Sequence, residues 1–324
     1  MAEVRFVQAI NKALEDAMLA DPTVFLIGED IAGAGGSFKA TRNLLDKFGP
    51  GRVYDAPIAE AAITGMAVGA ALTGMRPVAE IMFMDFVTLS MDMLVNQAAK
   101  ARSMFGGQGS VPKVLRTPHG GGLNAGPQHS QCLEAWFAHV PGLKVVCPST
   151  PASAYGLLRA AINDPDPVIF VENKALYASK GELPDDAGPL TIGEGSIIRS
   201  GTSATIVAYG AAVAMSLAAA DRLAGRGIDV EIIDLQSIQP WDERLVLESL
   251  SRTHNLIVAH EAVEQFGVGA EIAARMADIG FDELDGPIVR VGAPFAPVPF
   301  ARSLEKAYRP DASRIVAAVE RSLA

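Results

Sequence analysis

Glu60 lies in the stretch DAPIAEAAITGMAVGAALTG (55–74), and after it no charged side chain follows until Arg76. A carboxyl in that place can exchange a proton with a ligand. It can equally do no more than balance the positive end of a helix dipole, an effect of about 0.5 kcal/mol. The second side-chain type suited to proton transfer near neutral pH is imidazole. His119 and His129 fall in one long glycine-rich run, His119-Gly-Gly-Gly followed by Gly126-Pro-Gln-His-Ser-Gln. A lone loop histidine is more often surface than catalytic, yet a loop this long inside a compact domain is usually functional or disordered. Gly28-Glu29-Asp30 adds two carboxyls, readable as a solvated acidic turn. Met82-Phe83-Met84-Asp85-Phe86 adds two aromatics, readable as ordinary core.

Other chemistries lack their residues. No G-x-x-x-x-G-K-[ST] occurs, which removes a P-loop nucleotide site. Gly33 and Gly35 begin a dinucleotide fingerprint, but Phe38 stands where its third glycine belongs. His260-Glu261 has Glu264 where a zinc-binding pair needs its second histidine. No G-x-S-x-G marks a hydrolase serine.

The candidates share a position along the chain. Short β-branched runs predict strands at 24–27, 53–54, 77–82, 113–115, 144–146 and 167–172. Between them the pattern predicts helices near 41–48, 60–74, 87–104, 132–138 and 151–163, with Thr150-Pro151 as the start of the last. Glu29, the segment ending in Glu60, the Met82–Phe86 run and the histidine loop each follow a strand. In parallel α/β sheets, ligands bind outside those carboxyl ends. The alternation restarts with strands at 204–209, 230–235, 255–260 and 287–291 and helices near 211–224, 242–251, 269–279 and 311–323. The expected fold class is α/β, with two domains that are each a mainly parallel sheet flanked by helices. The domains are expected at 1–175 and 194–324, joined by a Gly/Pro/Asp-rich linker over 176–193. Helix 60–74, apolar on every side, is expected to be buried. Gly65 and Gly69 give it a bare face for a close partner helix.

Composition narrows the class. Apolar residues at 49% and charged residues at 20% suit a packed enzyme rather than a disordered chain. A net charge of −10 argues against a nucleic-acid surface. Cys132 and Cys147 alone make no disulfide framework. Residues 1–20 mix charges into a helical pattern, unlike a signal or transit peptide, and no run is long enough to cross a bilayer. The expectation is a cytoplasmic protein with neither a membrane nor a nucleic-acid partner.

Taken together, LIGED (26–30), DAPIAEAAITGMAVGAALTGMRPVAE (55–80), the MFMDF segment, VNQAAKARSMFGGQ (95–108), GPQHSQ (126–131), PGLKVVCPSTP (141–151) and FGVGAEI (266–272) carry a resemblance. The chain resembles the β subunit of the thiamine-diphosphate-dependent E1 component of 2-oxo acid dehydrogenase complexes, over nearly its whole length. The resemblance implies a pyrimidine-binding domain followed by a transketolase C-terminal-like domain. It implies that Glu60 hydrogen-bonds the aminopyrimidine ring of the cofactor, with Phe86 packed on that ring. Ile58, Ala59, Met82 and Glu29 match positions lining the same pocket. His129 matches the histidine that faces the substrate carbonyl and the arriving lipoyl group. Ala161-Ile162-Asn163-Asp164-Pro165-Asp166 matches a loop that holds a potassium ion in some relatives, together with a carbonyl near Lys113. There Ala161, Ile162, Asp164 and Asp166 would be ligands; the family often has Asn at the place of Asp166, and a capped helix end is the competing reading.

The same resemblance implies an α2β2 heterotetramer with an E1 α subunit, acyl transfer to a lipoyl acyltransferase (E2), and a small 2-oxo acid or acetoin as substrate. Pyruvate or acetoin comes first and a branched-chain 2-oxo acid second. Enzymes that hold this cofactor alone carry a G-D-G and a later N-N pair; neither occurs here, so Mg²⁺ and the diphosphate are expected on the α chain. A self-sufficient transketolase-like enzyme would need that missing half. A catalytically silent scaffold subunit is the alternative from another class, and the presence of Glu60, Phe86 and His129 argues against it.

Overall fold

A computed structural model describes residues 2–324, which form two compact units. One comprises the residues up to His119 together with Trp136–Ile192; the other comprises Gly120–Ala135 together with Gly193–Ala324. The glycine-rich loop after His119 therefore groups with the second half of the chain.

In the first unit, hydrogen-bonded strands run in the order Lys144–Val146, Val168–Asn173, Val114–His119, Arg76–Glu80, Val24–Gly28, Val53–Asp55, all parallel. Their middles are near-continuous Val, Ile, Leu and Phe because both faces are covered. Helix Phe6–Ala20 buries Phe6, Ile10 and Leu14 completely, and helix Pro151–Asn163 buries Leu157 and Leu158. Each such side chain contributes about 1.5–3 kcal/mol. Thr150 caps that second helix, accepting from Ser153 N at 3.1 Å, with Pro151 at its first position.

Two features depart from the sequence expectation. Ala2–Arg5 is a strand, paired antiparallel with Lys180–Leu183, so part of the expected linker carries regular structure. The expected helix over 87–104 is instead a 3₁₀ segment Met84–Ser90, a π segment Met93–Ala98 and a short α-helix Ala99–Met104.

The second unit carries a five-stranded sheet in the order Val289–Ala293, Leu256–Val263, Ala204–Ala208, Val230–Asp234, Ser196–Arg199, parallel except for the last pair. Helices Ala211–Ala224 and Ala312–Ser322 cover one face, packing Val213, Ala220, Leu223, Ile315 and Val319 on Ile206, Ile232 and Ile257. Strand Ser196–Arg199 and helix Arg302–Tyr308 were not expected from the sequence. No helix among the described residues is long and apolar enough to cross a membrane.

Candidate active site

Three adjacent parallel strands, Val53–Asp55, Val24–Gly28 and Arg76–Glu80, end level with one another. Gly28 stands opposite both Asp55 and Glu80. A Cβ at Gly28 would lie 2.9 Å from the Glu80 carbonyl oxygen, so the strands close up only around glycine. The chain leaves these ends through Glu29, through Ile58-Ala59-Glu60, and through Met82 to Phe86. Six of the sequence-predicted residues thus issue from one edge of one sheet.

Glu60 is the first residue of helix Glu60–Leu72 and is 8% exposed. Its carboxylate makes no hydrogen bond or ion pair with any described residue, and the same holds for Glu29. Burial, then the charges of Asp30 and Glu60, hold the Glu29 carboxyl above its ordinary range. The Glu29 loop is fixed by Asp55, whose carboxylate accepts from Ala32 N at 2.7 Å and Gly33 N at 3.3 Å. Thr41 Oγ1 donates to the Ile31 carbonyl at 2.7 Å.

Phe86 is half-buried and meets Phe83 edge-on, with centroids 6.1 Å apart. Phe83 in turn meets Phe38 at 5.9 Å and lies 5.0 Å from Lys174 Nζ, while Phe38 stacks on Tyr177 at 4.8 Å. Ser37 Oγ approaches Met82 Sδ at 3.6 Å. Met84 is fully buried, whereas Phe83 and Phe86 are half-buried. Ile58, 77% exposed, adds an apolar step beside Glu60.

Behind this edge lies a buried charge network that the sequence reading missed. Arg116 Nη1 donates to Glu80 Oε2 at 2.5 Å, and its Nε and Nη2 donate to Glu172 at 2.7 and 2.9 Å. The Tyr177 hydroxyl donates to Glu172 at 2.6 Å. Burial outweighs Arg116 and holds the Glu80 carboxyl above its usual range, while burial and the Glu172 charge hold Tyr177 well above its own. A signal was present: Glu80, Arg116 and Glu172 are charges inside otherwise apolar strands, and such groups are almost never buried unpaired.

Helix Glu60–Leu72 corrects one expectation. Ile63, Thr64, Ala67, Val68 and Ala71 are buried, but Ala61, Ala62, Met66, Gly69 and Leu72 are exposed. The unit's core covers one side only, so an all-apolar helix retains a bare apolar face. Gly65 meets Met93 Sδ, at 3.3 Å from a Cβ built there, whereas nothing lies within 4 Å of Gly69.

The segment expected to hold potassium is fully supplied with protein donors. The Lys113 carbonyl accepts from Val168 N at 3.0 Å and the Ala161 carbonyl from Asp164 N at 3.3 Å. Arg76 Nη1 donates to the carbonyls of Ile162 and Asp164, at 2.8 and 3.3 Å. Lys144 Nζ grips both Asp164 carboxylate oxygens at 2.8 and 2.6 Å, and Arg102 Nε donates to Asp166 at 2.6 Å. Each of these groups thus has a protein donor, and a potassium ion there would share the oxygens with three cationic side chains.

His129 lies in the second unit, half-buried, with its backbone N–H directed to the Gly126 carbonyl at 3.4 Å. The loop bearing it closes through Gly120 N to the Gln131 carbonyl at 3.4 Å. It is further tied to Glu261, Glu305 and Tyr209, contacts that sequence reasoning did not foresee.

Comparison with known proteins gives matches over nearly the whole chain. Residues 2–180 match the family "Transketolase, pyrimidine binding domain" and residues 193–315 match "Transketolase, C-terminal domain". The chain is 45% identical to the pyruvate dehydrogenase E1 component subunit beta-2 of Oryza sativa subsp. japonica, over 97% of this chain and 85% of that one. It is 46% identical to the acetoin:2,6-dichlorophenolindophenol oxidoreductase subunit beta of Bacillus subtilis (95% and 94%). It is 40% identical to the 2-oxoisovalerate dehydrogenase subunit beta of the same organism (98% and 98%). A solved structure titled "Split gene transketolase, inactive beta4 tetramer" superposes with a TM-score of 0.81 over 99% of this chain and 98% of that one. At 23% identity that likeness shows the fold alone.

Proposed function

The chain belongs to the β subunits of 2-oxo acid dehydrogenase E1 components, built from the two transketolase-type domains, and from that premise we propose that it forms half of a thiamine-diphosphate site. The reaction proposed is cleavage of a small 2-oxo acid or acetoin, with the acyl group passed to a lipoyl acyltransferase. One observation carries the reading: Glu29, Ile58, Ala59, Glu60, Met82 and Phe86 leave the carboxyl ends of three neighbouring strands.

The residues fit the ring half of that cofactor. Two neighbouring carboxyls without partners among the described residues suit a nitrogen heterocycle, and a half-buried aromatic at the same sheet edge suits its flat face. When bound, the cofactor supplies an acidic ring carbon that adds to the substrate carbonyl and serves as electron sink. Glu60 holds and releases a proton at the pyrimidine nitrogen, and Phe86 with Met82 and Ala59 fixes the ring plane. His129 gives or takes the proton at the substrate oxygen or the arriving thiol. Mg²⁺ and the diphosphate fall to the α subunit. Potassium has no step here.

The test is turnover by the pair. Co-purified with its α subunit and supplied with thiamine diphosphate, Mg²⁺ and a dye acceptor, the chain should oxidise at least one of pyruvate, acetoin and the branched-chain 2-oxo acids. A well-assembled tetramer silent on all of them would favour the scaffold reading instead. Relatives at 45%, 46% and 40% identity do not separate the substrates, and a methylene in the pocket shifts preference by only about 1–3 kcal/mol.

His129→Ala should lower acyl transfer by about 10²–10⁴-fold, the range for a lost general acid–base group. Cofactor affinity should change little, because His129 belongs to the glycine-rich loop of the second unit and not to the strand ends that carry the proposed pyrimidine wall. Weakened cofactor binding with normal transfer would contradict the assignment.

A further inference from the structure

The loop Gly120–Ala135 is held to its own unit by buried carboxylates from far along the chain. Glu305, on helix Arg302–Tyr308, accepts Gly122 N on one oxygen at 2.9 Å and Asn124 N on the other at 3.0 Å. Glu261 Oε1, on strand Leu256–Val263, accepts both Gly121 N and Arg309 Nε at 2.8 Å. At the far end of the loop, Tyr209 OH donates to Glu134 at 2.9 Å. All three acids are buried. The backbone between them is committed as well. Gly126 has φ +77°, and a Cβ there would sit 2.2 Å from the Phe300 ring.

We propose that Glu305 and Glu261 are positioning residues for His129, a clamp that sets where the loop presents its imidazole; this rests on the functional reading above. The chemistry selects a carboxylate. Two N–H groups converging on one side chain need two acceptors and no donor, which Glu supplies and Gln does not. Glycines at 121 and 122 let the backbone come close enough: a Cβ at Gly121 would meet Glu305 Oε1 at 3.0 Å, and one at Gly122 would meet Arg309 Nη1 at 2.7 Å. A loop so rich in glycine has many alternative conformations when free, and an anchor on each side of His129 removes them. Arg309 neutralises Glu261, so the clamp does not leave that acid as an unpaired buried charge.

The experiment uses the assembled tetramer with cofactor and Mg²⁺, carrying Glu305→Gln, Glu305→Asp, His129→Ala or His129→Ala with Glu305→Gln. Glu305→Gln should slow acyl transfer by about 10-fold or more through kcat with little change in KM. Exchange at the cofactor's acidic carbon should stay near wild type, and amide hydrogen exchange at Gly122 and Asn124 should speed up. Glu305→Asp, which keeps the charge, should recover part of the rate. In the His129→Ala background, Glu305→Gln should cost nothing further, because a residue acting only through His129 has no effect once the imidazole is gone. An additive loss in the double variant, or unchanged amide exchange in Glu305→Gln, would overturn the proposal. A wild-type tetramer without any acyl transfer would overturn the functional reading instead, and amide exchange would then judge the clamp on its own.

Discussion

Glu60→Gln should abolish exchange of the acidic ring carbon of bound thiamine diphosphate, and turnover with it, while the protein folds and assembles as before. The substitution keeps size and shape and removes only the capacity to hold and release a proton. General acid–base steps of this kind are worth about 10²–10⁴-fold, and more where the step is obligatory. The fold should tolerate it because the Glu60 carboxylate has no hydrogen-bond or ion-pair partner among the described residues; the chain loses only a first-turn acid, about 0.3–1 kcal/mol. The comparison to make is exchange measured by NMR against thermal unfolding of the same tetramer. A variant keeping more than a tenth of wild-type exchange would refute the role given to Glu60.

The second large effect concerns the chain by itself. Purified without its α subunit, it should bind thiamine diphosphate and Mg²⁺ at least about 100-fold more weakly than the tetramer does, a difference of about 2.7 kcal/mol. On the proposed reading it offers the ring side of the site, and its sequence has neither a G-D-G with a later N-N pair nor a glycine loop with a lysine to cradle phosphate. The structure adds a reason for expecting the missing half beside helix Glu60–Leu72. Met66, 62% exposed, and Leu72, 43% exposed, lie with Gly69 on an uncovered face, and apolar faces of this kind mark contact with another chain. Calorimetry on the single chain decides it, since tight metal-dependent binding there would remove the need for a partner.

How much of this was legible in the residues follows from the range of the interactions. Helix Glu60–Leu72 and the strands before Glu29, Glu60 and Met82 could be read locally, from an uncharged run and from short β-branched runs. The side-chain pattern of 87–104 suited a regular helix, but a 3.6-residue period cannot show a π turn, where the hydrogen bonds skip one residue. The Ala2–Arg5 strand was hidden because it is short, charged and paired with residues near the other end of its unit. The one-sided burial of helix Glu60–Leu72 was misread because hydrophobicity tells which residues leave water, not whether the same chain covers them. The clamp was beyond any local pattern: Glu305 lies 183 residues from Gly122, and Glu261 lies 140 from Gly121.

The Arg116 network has a consequence for how such a sequence can drift. Glu80, Arg116, Glu172 and Tyr177 satisfy one another out of reach of water, and removing one member of a buried pair costs about 3–5 kcal/mol. Exchanging all of them for apolar residues that fill the same space need cost nothing. The viable states are therefore the complete set or a wholly different one, with a deep valley between them. Among descendants of a common ancestor, these four positions should be inherited together like a single character, and a lineage carrying one change should carry its compensation at the others.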